Sequence, residues 1–70
     1  MITIPLAQIY MWKGISEEAI RKIIAGVTDV FVDLGIPKQA VHILIQEIPK
    51  GHWGIDGLPA TEARPDARSP

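Results

Sequence analysis

The chain has 70 residues, no cysteine, 47% hydrophobic residues and a formal net charge of −1. A disulfide-stapled fold, a thiolate metal site and a cysteine nucleophile are excluded, and neither nucleic acid nor an anionic membrane would find a cationic footprint. A lone chain this short buries only about 60% of its unfolded surface, so such an apolar content predicts burial against further copies of the chain.

From Ile2 to Trp12 the residues are mostly β-branched, aromatic or otherwise apolar, which predicts a strand. Alternation sets Leu6, Gln8, Tyr10 and Trp12 on one face and Ala7, Ile9 and Met11 on the other. Both faces are largely apolar, the pattern of a strand covered on two sides. Pro5 cannot donate a ladder hydrogen bond and marks the strand's start or an edge, so residues 1–4 read as a leader. Lys13-Gly14 turns the chain. Ser16 is a good N-cap, with Glu17 and Glu18 in the first turn, where the helix dipole favours acid. Ile20, Ile23, Ile24, Val27, Val30, Phe31 and Leu34 follow at helical spacing, while Glu17 with Arg21 and Glu18 with Lys22 pair on the opposite side. Gly35 supplies a C-terminal cap, Ile36 an apolar contact beyond it, and Pro37 prevents continuation. Val41 to Ile48 alternates again, with Val41, Ile43 and Ile45 on one face and His42, Leu44 and Gln46 on the other.

Strand, helix and strand make one βαβ unit with parallel strands and a right-handed crossover. The fold class is α+β: a parallel strand pair with one helix, its sheet completed by oligomerisation, then a glycine-rich turn or hairpin over 49–57. Two parallel strands under one helix leave a sheet face and both edges bare, so topology also predicts an oligomer. From Pro59 onward Ala, Pro, Ser and alternating charges dominate. The expected organisation is a leader at 1–4, a domain at 5–59 and a mobile polar tail at 60–70. No apolar run approaches the ~20 residues of a membrane span, and no basic segment precedes a signal core. A cytoplasmic protein is expected, with no membrane or nucleic-acid partner. His42 and His52 lack zinc-type spacing, so no metal or cofactor is expected.

Two segments resemble a known family. Pro5-Leu6-Ala7-Gln8-Ile9-Tyr10, then Gly14 and Ser16-Glu17-Glu18, resembles the start of 4-oxalocrotonate tautomerase and its small relatives. Val41 to Ile55, with its run Lys50-Gly51-His52-Trp53-Gly54, resembles the second strand and following loop of the same family. The resemblance implies a βαβ protomer that dimerises into a four-stranded sheet, with the dimers assembling into a hexamer. It also implies proton transfer between carbons of a small keto or enol acid, often in aromatic catabolism. The family's base is an N-terminal proline, arginines hold the substrate's oxygens, and an aromatic residue makes the pocket apolar.

Carried onto this chain, the proline falls on Pro5 and the aromatic on Trp53. The first arginine falls on Ile15 and the second on His42, which can donate a hydrogen bond but lacks a bidentate fork. Lys13 and Lys50 are loop cations that could face a site. Pro5 is preceded by Met1-Ile2-Thr3-Ile4, and this matters chemically. A free terminal amine in an apolar pocket is neutral near pH 7 because desolvation disfavours its charged form, and it can then accept a carbon-bound proton. An internal proline nitrogen is an amide with a delocalised lone pair, neither base nor nucleophile. Pro5 therefore acts as base only if processing exposes it. Otherwise Pro5 is an ordinary strand-start proline and His42 a strand histidine. The alternative function is a catalytically silent homologue, a ligand-binding module or a partner subunit in a mixed hexamer.

Overall fold

A computed structural model describes residues 4–70, so residues 1–3 of the expected leader lie outside the described residues. Strand β1 (Leu6–Trp12) is followed by helix α1 (Glu17–Asp33), strand β2 (His42–Ile48), the short strands β3 (Gly54–Ile55) and β4 (Leu58–Pro59), and helix α2 (Ala60–Ala63). Strands β1 and β2 pair in parallel, with Leu6 opposite His42, Ile9 opposite Ile45 and Trp12 opposite Ile48. This is the α+β, βαβ protomer that the sequence predicts, with one helix crossing over between parallel strands.

Helix α1 begins where Ser16 stands as N-cap, its Oγ accepting from the Ala19 N–H at 3.1 Å. It ends in a Schellman motif: the Gly35 N–H donates to the Val32 carbonyl and the Ile36 N–H to the Phe31 carbonyl, with Gly35 at φ +93°. The expected ion pairs form, Arg21 to Glu17 at 3.1 Å and Lys22 to Glu18 at 3.8 Å. All four side chains are exposed, so each pair adds little stability. Of the expected apolar helix face, Ile20, Ile23, Val27 and Phe31 are partly covered, whereas Ile24, Val30 and Leu34 remain exposed. One helix is too narrow to bury so wide a stripe against two strands.

The two sheet faces differ in the same way. Ala7, Ile9, Met11, Ile43 and Ile45 are partly covered, on the alternate positions of their strands. The opposite face, Leu6, Gln8, Tyr10, His42, Leu44 and Gln46, is exposed. Among the described residues only Ile15 and Ala60 are buried hydrophobic residues.

The glycine-rich segment closes as expected into a hairpin. Ile55 pairs with Leu58 across Asp56 and Gly57, both at positive φ (58° and 80°), which is the two-residue turn suited to the strand twist. The segment beyond Pro59 starts with a short helix. Ala60 is fully buried, its N–H donates to the Trp53 carbonyl at 2.6 Å, and residues 60–63 form α2. Beyond it, polar contacts described below run from this segment to Lys50 and Trp12.

Candidate active site

The proposed site residues fall into two groups at opposite ends of the strand pair. Pro5 and His42 lie together at the start of the sheet, where the His42 N–H donates to the Pro5 carbonyl at 3.0 Å. Pro5 is half-buried and His42 exposed, its side chain on the uncovered sheet face beside Leu6. Proline belongs at this position because its missing N–H costs nothing before the first ladder bond, while its carbonyl still accepts.

Lys13 and Trp53 stand at the other end. The Lys13 N–H donates to the Ile48 carbonyl at 2.8 Å, so the loop after β1 leaves the sheet beside the end of β2. Gly14 follows at φ +106°, its N–H donating to Glu47 Oε1 at 3.0 Å, and Ile15 then turns inward. Trp53 meets Trp12 edge-on, ring centroids 6.0 Å apart. Lys50, in the turn of 3₁₀ helix Lys50–His52, places its ammonium 4.8 Å over the Trp12 ring. Trp12 lies seven residues on from Pro5, about 23 Å at ~3.3 Å per residue. One protomer thus does not bring Pro5 and His42 against Lys13 and Trp53.

Two clefts flank Trp12. The first, about 180 Å³, is lined by Tyr10, Met11, Trp12, Trp53, Arg68, Ser69 and Pro70. The second, about 260 Å³, runs past Lys13, Gly14 and Lys50 to Ala67, Arg68 and Ser69. These volumes lie below the ~300–1,000 Å³ usual for drug-sized ligands and suit a small acid. Aromatic walls supply an apolar environment and three cations supply charge. Trp12 Nε1 is buried without a hydrogen-bond partner among the described residues, an orphaned donor beside both clefts.

Lys13 and Trp53, both expected as site residues, line clefts beside Trp12, and so does Arg68, which the sequence pattern assigns to the tail. Trp12 carried a signal, a large aromatic at the sheet's end. Arg68 carried none, because its position depends on contacts made far from it in sequence. At Ile15, where the family resemblance places an arginine, the chain has a buried hydrophobic residue, 7% exposed.

Comparison with known proteins shows the class to which this βαβ protomer belongs, the tautomerases. Residues 5–63 match the family described as tautomerase enzyme. The chain is 44% identical over 59 residues to a 2-hydroxymuconate tautomerase of Comamonas testosteroni, covering 83% of this chain and 94% of that one. It is 37% identical over 65 residues to a probable tautomerase of Ralstonia nicotianae, covering 91% and 93%. Among solved structures, one from work on 4-oxalocrotonate tautomerase isozymes of Methylibium petroleiphilum superposes with a TM-score of 0.81 at 39% identity, covering 86% of this chain and 98% of that one. A 4-oxalocrotonate tautomerase homologue of the tomaymycin biosynthetic pathway gives 0.83 at 25% identity, covering 89% and 97%. The chain belongs to the tautomerase family, and these relationships support tautomerase activity, a form of isomerase activity, in general. The family match begins at Pro5 and stops at Ala63, short of Arg68.

Proposed function

We propose that this chain is a tautomerase that moves a proton between carbons of a small keto or enol acid. Pro5 is the base once it is N-terminal, and His42, Trp53 and Lys13 shape the substrate site. The observation that carries this reading is the start of the family match at Pro5, the residue whose amine, if freed, sits half-buried beside an apolar sheet. Pro5 and His42 stand about 23 Å from the Trp12 end, so the working site combines one chain's Pro5 end with another's Lys13–Trp53 end. The assembly is a homo-oligomer, a hexamer built as a trimer of dimers. A neutral proline amine takes a proton from one carbon to leave a conjugated dienolate and returns it two atoms further along the conjugated system as the double bond shifts, while cations stabilise the charge on the dienolate oxygens.

Substrate breadth follows from the lining. A 2-hydroxymuconate, the compound in the name of the Comamonas relative, carries two carboxylates. Ile15 and His42 offer neither of the forks that such a dianion would use. A monocarboxylic enol acid with an apolar body suits the two tryptophans better.

A second reading has its own support. In the chain as it stands Ile4 precedes Pro5 and acylates its nitrogen, and Ile15 is a core residue. Both features favour a catalytically silent homologue that binds a ligand or serves as a partner in a mixed hexamer.

The deciding experiment compares two purified chains, one starting at Met1 and one at Pro5, each checked by intact mass, in a tautomerase assay on a panel of enolpyruvates. The Pro5-first chain is expected to be faster by about 10²–10⁴, the usual contribution of a positioned general base. Equal activity in both removes Pro5 as base and turns attention to His42. Silence in both favours the non-catalytic reading.

A further inference from the structure

Segment 64–70 lies beyond the family match, yet it is built into the sheet end. Lys50 Nζ donates to the carbonyls of Arg64 and of Ala67, the latter at 2.7 Å. The Ala67 N–H donates to the Arg64 carbonyl at 3.2 Å. Ser69 Oγ donates to the Trp12 carbonyl. These anchors hold the residues on either side of Arg68, and Arg68 itself lines both clefts that flank Trp12.

The charges around it are unequally committed. The Lys50 ammonium is engaged by two carbonyls and the face of Trp12. The Glu47 carboxylate accepts from the Gly14 N–H, and none of Glu47, Glu62 and Asp66 lines either cleft. Among the described residues the ion pairs are Arg21 with Glu17 and Lys22 with Glu18, so neither Arg68 nor Lys13 is neutralised by a carboxylate there. Arg68 is exposed, lines both clefts beside Trp12 and makes no ion pair among the described residues, so its guanidinium is available to a carboxylate from outside. Its planar fork accepts both oxygens at once, which the Lys13 ammonium cannot do.

We infer that Arg68 is the carboxylate-binding residue of this protein, with Lys13 as a second cation and Trp12 and Trp53 against the apolar body of a monocarboxylic keto or enol acid. This rests on the substrate class proposed above. It places the anion-binding function in a segment outside the family pattern, in a chain that has Ile15 and His42 at the positions where the resemblance implies arginines.

The test uses the full chain, with phenylpyruvate as a monocarboxylic keto acid and its methyl ester as an uncharged control, followed by tryptophan fluorescence. Wild-type protein should bind the acid more tightly than the ester. Arg68→Ala should weaken acid binding about tenfold or more, the usual scale for a lost charge-assisted pair, and reduce the preference for acid over ester to what Lys13 alone supplies. Arg68→Lys should keep the preference for acid but bind it more weakly, because the fork is lost. Arg21→Ala removes an equal charge from the outer helix face and should change nothing. Circular dichroism and sedimentation confirm that each variant retains its structure; should Arg68→Ala fail there, Arg68→Lys decides. The inference is overturned if wild-type protein binds neither compound or makes no distinction between them, or if the Arg68 variants bind the acid as wild type does. Enolpyruvate turnover by the Pro5-first chain separates the two readings. Binding that depends on Arg68 without turnover overturns the catalytic role and leaves the subsite standing; turnover with binding indifferent to Arg68 does the reverse.

Discussion

Two glycines show how single residues set the crossover helix, and they predict opposite outcomes. Gly35 holds φ +93° at the end of α1, and a Cβ built there meets nothing within 4 Å. The cost of Gly35→Ala is therefore conformational alone, about 1–2 kcal/mol for an L-residue in the left-handed region. Gly26 lies inside α1 with open space around its Cβ and an ordinary helical backbone, so Gly26→Ala should stabilise by about 0.5–1 kcal/mol. Urea unfolding of both variants checks the pair: a midpoint that falls for one and rises for the other is expected, and a shift in the same direction for both contradicts it. Gly35 was legible from sequence, because a glycine followed by an apolar residue and a proline has few other uses. Ile15 was legible only as a missing arginine. That it turns inward depends on Gly14 at φ +106° and its bond to Glu47, a contact spanning 33 residues.

Elements with local signatures were readable, and the one assembled from distant contacts was not. Helix α1 and both long strands follow from periodicity, capping and breakers, all encoded within a few residues of one another. The β3–β4 hairpin follows from Asp56-Gly57. The C-terminal segment has no such pattern; its place depends on Lys50, 14 and 17 residues earlier, and on Trp12, 57 residues before Ser69. Those contacts predict the behaviour of Lys50→Met, which keeps an unbranched apolar side chain over Trp12 but lacks the three N–H donors. Two hydrogen bonds from a charged donor are lost at 64 and 67, each worth about 1.5–3 kcal/mol. The segment should open more often, and trypsin should cut the Arg68–Ser69 bond at least about tenfold faster than in wild type, as read by mass spectrometry. The same variant should weaken phenylpyruvate binding, since Arg68 would no longer be held between its anchors. An unchanged cleavage rate would mean that Lys50 does not hold the segment.

The whole protomer is flat, and this determines what can hold it together. It measures 46 × 25 × 15 Å, with a radius of gyration of 15.1 Å, whereas a compact 70-residue domain has about 11 Å. Its buried hydrophobic residues are Ile15 and Ala60, while Leu6, Tyr10 and Leu44 are about half exposed on the uncovered sheet face. At roughly 25 cal/mol per Å² of apolar surface removed from water, so little burial cannot offset the entropy of ordering a chain of this length. On the oligomer proposed above, association, folding and completion of the site should fail together. Leu44 lies centrally on the uncovered face, between His42 and Gln46 and opposite Gln8. Leu44→Glu would bury a carboxylate wherever that face meets another copy, at a cost of several kcal/mol unless it is paired. The variant should sediment as monomer and show little helical circular dichroism. In wild type the melting temperature should rise with protein concentration, as mass action requires when association stabilises the folded chain. A Leu44→Glu monomer with native circular dichroism, or a wild-type melting temperature indifferent to concentration, would show that the single protomer supports its own fold. A site would then have to be sought within one chain, where Pro5 and Trp53 stand at opposite ends.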